Sequence, residues 1–273
     1  MVPLLSWDNR PPKPREKGKT MMIDFGPDEM GWTVMSGIEG LLEMCADSID
    51  YAKIYAMNAV IMPKDVVKKA AKLYRDYGVQ PFTGGILFEY AYLKNDVDGY
   101  INLLKELDIA GIEVSENYIT LTDDERKTYI DKFQGLGIDV SYEFGRKNPT
   151  GPLSLDELEG IVTDAIDNLG VPHVIVEQCE IDEIAEKDPK VLGELVKTPW
   201  FYKILIEADP YRFPKQHAQM IKDFGADVNL ANIAPGQVYR LENMRLGIGR
   251  AVDYGTIQDL VAAKEKGGVT VQP

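Results

Sequence analysis

The chain has 273 residues, 45% of them hydrophobic, with 44 acidic against 30 basic side chains and a formal charge of −14. That is enough chain to bury one full core, and the charge speaks against general nucleic-acid binding, which needs a basic stripe to neutralise phosphates. Cys45 and Cys179 are read as free thiols, since two distant cysteines form neither a redox pair nor a disulfide framework. No apolar run approaches the length of about 18 residues that spans a bilayer, so a soluble cytoplasmic protein without membrane partners is expected.

Residues 1–18 are read as an N-terminal arm and 19–273 as a single domain. Prolines 11, 12 and 14 in Arg10-Pro11-Pro12-Lys13-Pro14-Arg15 remove donors and hold the backbone extended. The arm reads as a strap across the domain or a neighbouring subunit, with an anion contact through Arg15 as the alternative.

Beyond the arm, short β-rich runs alternate with longer amphipathic stretches, the pattern of repeated β/α units around a parallel sheet. Strands are predicted near 20–24, 51–55, 79–83, 110–114, 138–143, 173–177, 202–207 and 227–231. Runs such as His173-Val174-Ile175-Val176 and Lys203-Ile204-Leu205-Ile206 are apolar on both sides, as strands covered on both faces require. Between strands, Val66, Val67, Ala70, Ala71 and Leu73 recur at helical spacing, and glycines at 78, 111, 137 and 225 mark helix ends. Eight such units predict a (β/α)8 TIM barrel with right-handed crossovers.

Five of the eight runs end on or beside a carboxylate: Asp24, Glu113, Glu143, Glu177 and Glu207. The strand ends of such a barrel share one face, so these acids are expected to converge there. With only two histidines in the chain, the ring suggests a hard, oxygen-liganded cation such as Mg²⁺. Asp24, Glu113, Glu177 and Glu207 are the expected ligands, with Glu143 beside them in a catalytic role.

Lys53, inside the second run, needs an anionic partner in a barrel interior: either Asp24 in a structural salt bridge or a substrate oxygen. Arg146 and Lys147 follow the fifth strand on an active-face loop, where they are either solvated or, for an inward lysine with a depressed pKa, able to donate a proton. Gly84-Gly85 permits close backbone approach to an anion or simply a turn. Asn229 and Asn232 are amides in an apolar final run and need polar partners. Arg245 and Arg250 come after the eighth strand, where barrels often hold phosphate. His173 and His217 read as structural. Gly247-Ile248-Gly249 is too short for a dinucleotide fingerprint, and no nucleophile elbow, Walker loop or zinc motif occurs.

Several segments together resemble the phosphosulfolactate synthase family: Lys19-Thr20 with Asp24, Asp50-Tyr51-Ala52-Lys53, Gly84-Gly85-Ile86-Leu87-Phe88-Glu89-Tyr90-Ala91, Glu113-Val114-Ser115, Glu143-Phe144-Gly145-Arg146-Lys147, and Val228 to Ala234. The Pro-rich arm also resembles related plant heat-stress proteins. The resemblance implies a Mg²⁺-dependent carbon–sulfur lyase that adds sulfite to phosphoenolpyruvate on the route to coenzyme M. Lys147 would be its acid, and Ser115 falls among the substrate-binding residues. The chain departs from the family pattern at Phe25, Tyr55-Ala56-Met57-Asn58, Ile86, Glu116-Asn117 and Gln178-Cys179, changes that remove positive charge or small donors. Two alternatives therefore stand beside the leading reading: a related barrel enzyme with another nucleophile or enolate-forming substrate, and a non-catalytic stress or scaffold protein. Association into a homo-oligomer through exposed helices is expected from the fold class alone.

Overall fold

A computed structural model describes residues 10–32, 34–144, 154–187 and 190–266. Eight parallel strands close into a barrel in sequence order: β1 (Thr20–Asp24), β2 (Tyr51–Ile54), β3 (Gln80–Thr83), β4 (Gly111–Ser115), β5 (Asp139–Phe144), β6 (Val174–Glu177), β7 (Ile204–Glu207) and β8 (Leu230–Ile233). Helices alternate with the strands, which makes the architecture the (β/α)8 TIM barrel expected from the sequence. No helix among the described residues is long and apolar enough to cross a membrane, and Cys45 and Cys179 are free.

Strand pleating divides each run between two cores. Met22, Ala52, Ile112, Val114, Val140, Val174 and Ile206 join the large layer between strands and helices. Met21, Phe82, Ile175, Leu205 and Ala231, with Tyr51 packed against them, fill the barrel lumen. The helix Lys64–Asp76 shows why the helices stay outside: it buries Val67, Ala70, Ala71 and Tyr74 and leaves its lysines to water.

The first strand has the bounds read from the sequence, five more differ by one residue at one or both ends, and the last two differ by more. The seventh begins at Ile204 because Phe201–Lys203 turns as a 3-10 segment. The eighth begins later than expected because the Asn229 side chain takes the place of ladder bonds, donating to Tyr202 O and Ile204 O and accepting from Lys19 N at 2.8 Å. Further along, the β1–β8 register slips between Thr20 and Met22, and Asn232 sits in the left-handed region at φ 59°, as an extra residue in a bulge does.

The arm straps the N-terminal end of the barrel, the floor. Lys13 Nζ donates to Ala46 O, Ile49 O and Gly78 O at 2.8 to 3.0 Å. Arg15 pairs with both carboxylate oxygens of Asp50, whose Oδ2 also accepts from Thr20 N at 2.8 Å. Arg10 bonds Glu242 and Gly18 O, each at 2.6 Å. Of the two readings of Arg15, the structural contact is the one the geometry contains.

Candidate active site: an acidic cup at the C-terminal mouth

Alternation along the strands decides which carboxylates enter the lumen. Tyr51 and Lys53 point inward with Met21 and Ile23, their register partners; Glu207 stands two residues above the luminal Leu205, and Glu177 two above the luminal Ile175. Glu177 and Glu207 are direct register neighbours. Carboxylate oxygens of Glu143, Glu177 and Glu207 lie within 4.8 Å of one another. Across the lumen, Lys53 Nζ meets Glu207 Oε1 at 2.5 Å and Glu113 Oε2 at 2.9 Å. Four of the five predicted acids thus share one cup with the Lys53 ammonium.

The fifth does not. Asp24 pairs in register with Ile54 on the outward parity, and its carboxylate faces the helix layer. Oδ1 accepts from Gly26 N at 2.8 Å and Trp32 Nε1 at 2.6 Å, and Oδ2 accepts from Tyr74 O–H at 2.7 Å. Burial raises the Asp24 carboxyl while these three bonds pull it back. The geometry therefore revises two expectations: Asp24 anchors the outer layer away from the cup, and Lys53 takes Glu113 and Glu207 as partners in its place.

Electrostatics in the cup are set by crowding. Burial alone would strip the proton from Lys53, but Glu113, Glu207 and Glu143 outweigh it and hold the ammonium well above the ordinary lysine range. In the ion-free cup Lys53 is therefore favoured as an ammonium by its carboxylate neighbours. Burial, then Glu113 and Glu207, push the Glu143 carboxyl well up. Glu207 is raised by burial, against the pull of Lys53. Among the described residues, the buried carboxylates of Glu113, Glu143 and Glu207 around the one ammonium of Lys53 leave surplus negative charge out of water, which a divalent ion or protons must offset. Three oxygens within 4.8 Å, all hard donors, fit a metal ion of the Mg²⁺ type.

The wall is built by the helix Gly85–Leu93, which follows β3. Gly85 N donates to Glu113 Oε1 at 2.8 Å, presenting the positive end of a helix to the cup. A Cβ at Gly85 would stand 2.2 Å from Ser115 Oγ, and one at Gly84 3.2 Å from Lys53 Cε, so close approach accounts for the first glycine. Ser115 donates to the buried Glu89, which also accepts from Asn117 N at 2.9 Å and Tyr118 N at 2.8 Å. Its hydroxyl is therefore engaged in bracing the loop after β4. That brace places Asn117, whose Nδ2 donates to Glu143 Oε2 at 3.0 Å. Asn117 and Glu89 were not among the predicted site residues; a glutamate in the otherwise apolar stretch from Ile86 to Ala91 was the available signal.

The remaining predicted residues divide by end. Asn232 borders the cleft beside Glu177 and Glu207. Asn229 lies at the floor, as described above. Arg245 is buried there too, donating from Nη1 to Ala226 O and Val228 O and from Nη2 to Lys19 O. It ties the floor together and is not placed for the expected phosphate contact at the mouth. Arg250 is exposed on a cleft between the helices Lys215–Phe224 and Val238–Arg245. Arg146 and Lys147 lie outside the described residues.

The model of the family described as (2R)-phospho-3-sulfolactate synthase (ComA) matches residues 8–250. The chain belongs to that family. It is 32% identical over 243 residues to the phosphosulfolactate synthase of Methanocaldococcus jannaschii, covering 85% of this chain and 92% of the relative. The phosphosulfolactate synthase of Bacillus subtilis is 28% identical over 244 residues, covering 86% and 92%. Among solved structures, dihydrodipicolinate synthase from Agrobacterium tumefaciens superposes with a TM-score of 0.52 at 14% identity, over 89% of this chain and 77% of that one, a likeness of fold alone.

Proposed function

We propose that the chain is a Mg²⁺-dependent lyase that adds sulfite to phosphoenolpyruvate to give phosphosulfolactate. The observation that carries this reading is the cup itself: Glu143, Glu177 and Glu207 with oxygens within 4.8 Å of one another, beside Lys53, which is ion-paired to Glu207. In the addition, a carbon–sulfur bond forms at the methylene carbon, the electron pair of the double bond moves toward the carboxylate, and a proton arrives at the neighbouring carbon. Glu143, Glu177 and Glu207 would hold a Mg²⁺ ion, which would supply positive charge to offset the negative charge that accumulates in the addition.

The chain's own groups prepare that event. Lys53 holds Glu113 and Glu207 in position through its two ion pairs. The Asn117 amide orients Glu143, and the Gly85 amide with its helix terminus fixes Glu113. Family membership supports Lys147 as the proton donor to the carbon next to the methylene. Ser115 and Asn229, whose polar groups are engaged within the fold, leave few described donors for an anion at the mouth.

The deciding experiment incubates purified protein with phosphoenolpyruvate, sulfite and Mg²⁺ and looks for the sulfonated product by mass spectrometry. Product that depends on all three components is expected. Its absence, with phosphoenolpyruvate unconsumed, would refute the sulfite reaction.

A further inference from the structure

Lys53, the cation of the cup, is 8% exposed and already pairs with Glu113 and Glu207. A substrate with an anionic group at each end therefore needs a second cation nearer the surface. The cleft above the cup, of about 360 Å³, is bordered by Glu177, Glu207, Asp209, Arg212, Gln216 and Asn232. Arg212 is the one basic side chain on that wall among the described residues.

The acids around Arg212 are already occupied. Asp209 Oδ1 accepts from Tyr211 N at 2.9 Å, and Asp182 Oδ1 accepts from Gln178 Nε2 at 2.7 Å, while Glu177 and Glu207 belong to the carboxylate triad. The guanidinium meets Asp209 Oδ2 from Nε at 3.4 Å, and the side chain is 68% exposed. The 3-10 turn Pro210–Arg212 that carries it is pinned on both sides. Pro210 O accepts from Gln237 Nε2 at 2.8 Å, and Asp209 N donates to Gln216 Oε1 at 2.7 Å. A fixed turn thus presents a guanidinium fork with its terminal nitrogens open, the geometry that suits a phosphate.

We propose that Arg212 binds the phosphate of a phosphorylated enol acid whose carboxylate end sits at the cup. This rests on the reading under Proposed function. It assigns Arg212 to substrate specificity, while the carboxylates and Lys53 serve the reacting end.

The test is calorimetric titration of the Mn²⁺-loaded protein with phosphoenolpyruvate and with pyruvate, which lacks the phosphate. The wild type should prefer phosphoenolpyruvate by at least about tenfold, as loss of a charge-assisted phosphate contact implies. Arg212→Gln should shrink that preference to within about threefold and Arg212→Lys should restore part of it. Mn²⁺ affinity and pyruvate affinity should move by less than about twofold in both, since neither contact involves the fork. A wild type that binds the two ligands equally, or an Arg212→Gln protein that keeps the preference, would overturn the assignment. The reaction is judged separately: no sulfonated product with the preference intact would refute the sulfite chemistry and leave Arg212 standing.

Discussion

The two ends of this barrel handle buried charge in opposite ways. At the floor the buried cations are each met by several neutral or opposite-charge acceptors: Lys13 meets three carbonyls, Arg15 chelates Asp50, and Arg245 donates to three carbonyl oxygens. At the mouth, among the described residues, the buried carboxylates of Glu113, Glu143 and Glu207 crowd the one ammonium of Lys53. A saturated network contributes stability and specifies one packing, whereas an unsaturated one of like charge costs stability in the ion-free state. The floor is built to hold the fold, and the mouth is built to receive a ligand.

That contrast can be broken most sharply through Lys147. Lys147→Ala should lower turnover by at least about a thousandfold, the upper range for loss of a general acid, with the melting temperature nearly unchanged. Steady-state assay and thermal melts on the same preparation check this, and retained activity would remove Lys147 from the mechanism. The converse holds at the floor. Arg245→Met leaves the carbonyls of Ala226 and Val228 without their side-chain donor and takes one of two donors from Lys19 O; it should cost about 3 kcal/mol in urea unfolding, while folded protein keeps its Mg²⁺ affinity.

A third prediction concerns pH. Burial, then Lys19 and Lys203, lower His173 from 6.5 to about 3. The unfolded chain therefore takes up a proton below pH 6.5 that the folded protein refuses, so this residue's contribution is intact above pH 6.5 and is lost as pH falls toward 3. Between pH 7 and pH 5 the loss is about 2 kcal/mol. His173→Phe should flatten the stability profile in that window by a similar amount; an unchanged slope would contradict a neutral buried imidazole. The smallest effect has the opposite sign. Glu143→Gln removes one crowded carboxylate and should stabilise the ion-free protein by about 1 kcal/mol while weakening its response to Mg²⁺. Destabilisation would mean that the mouth is as saturated as the floor.

Much of this was legible in the sequence, and the residues that were not share a cause. Glu113, Glu143, Glu177 and Glu207 close apolar runs on the inward parity, and eight such runs sufficed for the barrel. Asp24 also closes a run, but pleating turns it outward to Tyr74 and Trp32; only the register of β1 against β2 reveals that. Arg245 follows the last strand, where phosphate is often held, yet it ends the eight-residue helix Val238–Arg245, whose rise of about 12 Å carries it away from the mouth to the floor. Asn117 and Arg212 escaped notice because turns position them, and no periodicity marks a turn.

The account stands or falls on a divalent ion at the crowded end. Thermal melting of the wild type, Glu177→Gln and Glu207→Gln across a Mg²⁺ or Mn²⁺ titration tests it most directly. A saturable rise in Tm for the wild type, lost or sharply weakened in both variants, is the expected result. No rise in the wild type, or an equal rise in all three proteins, would contradict it.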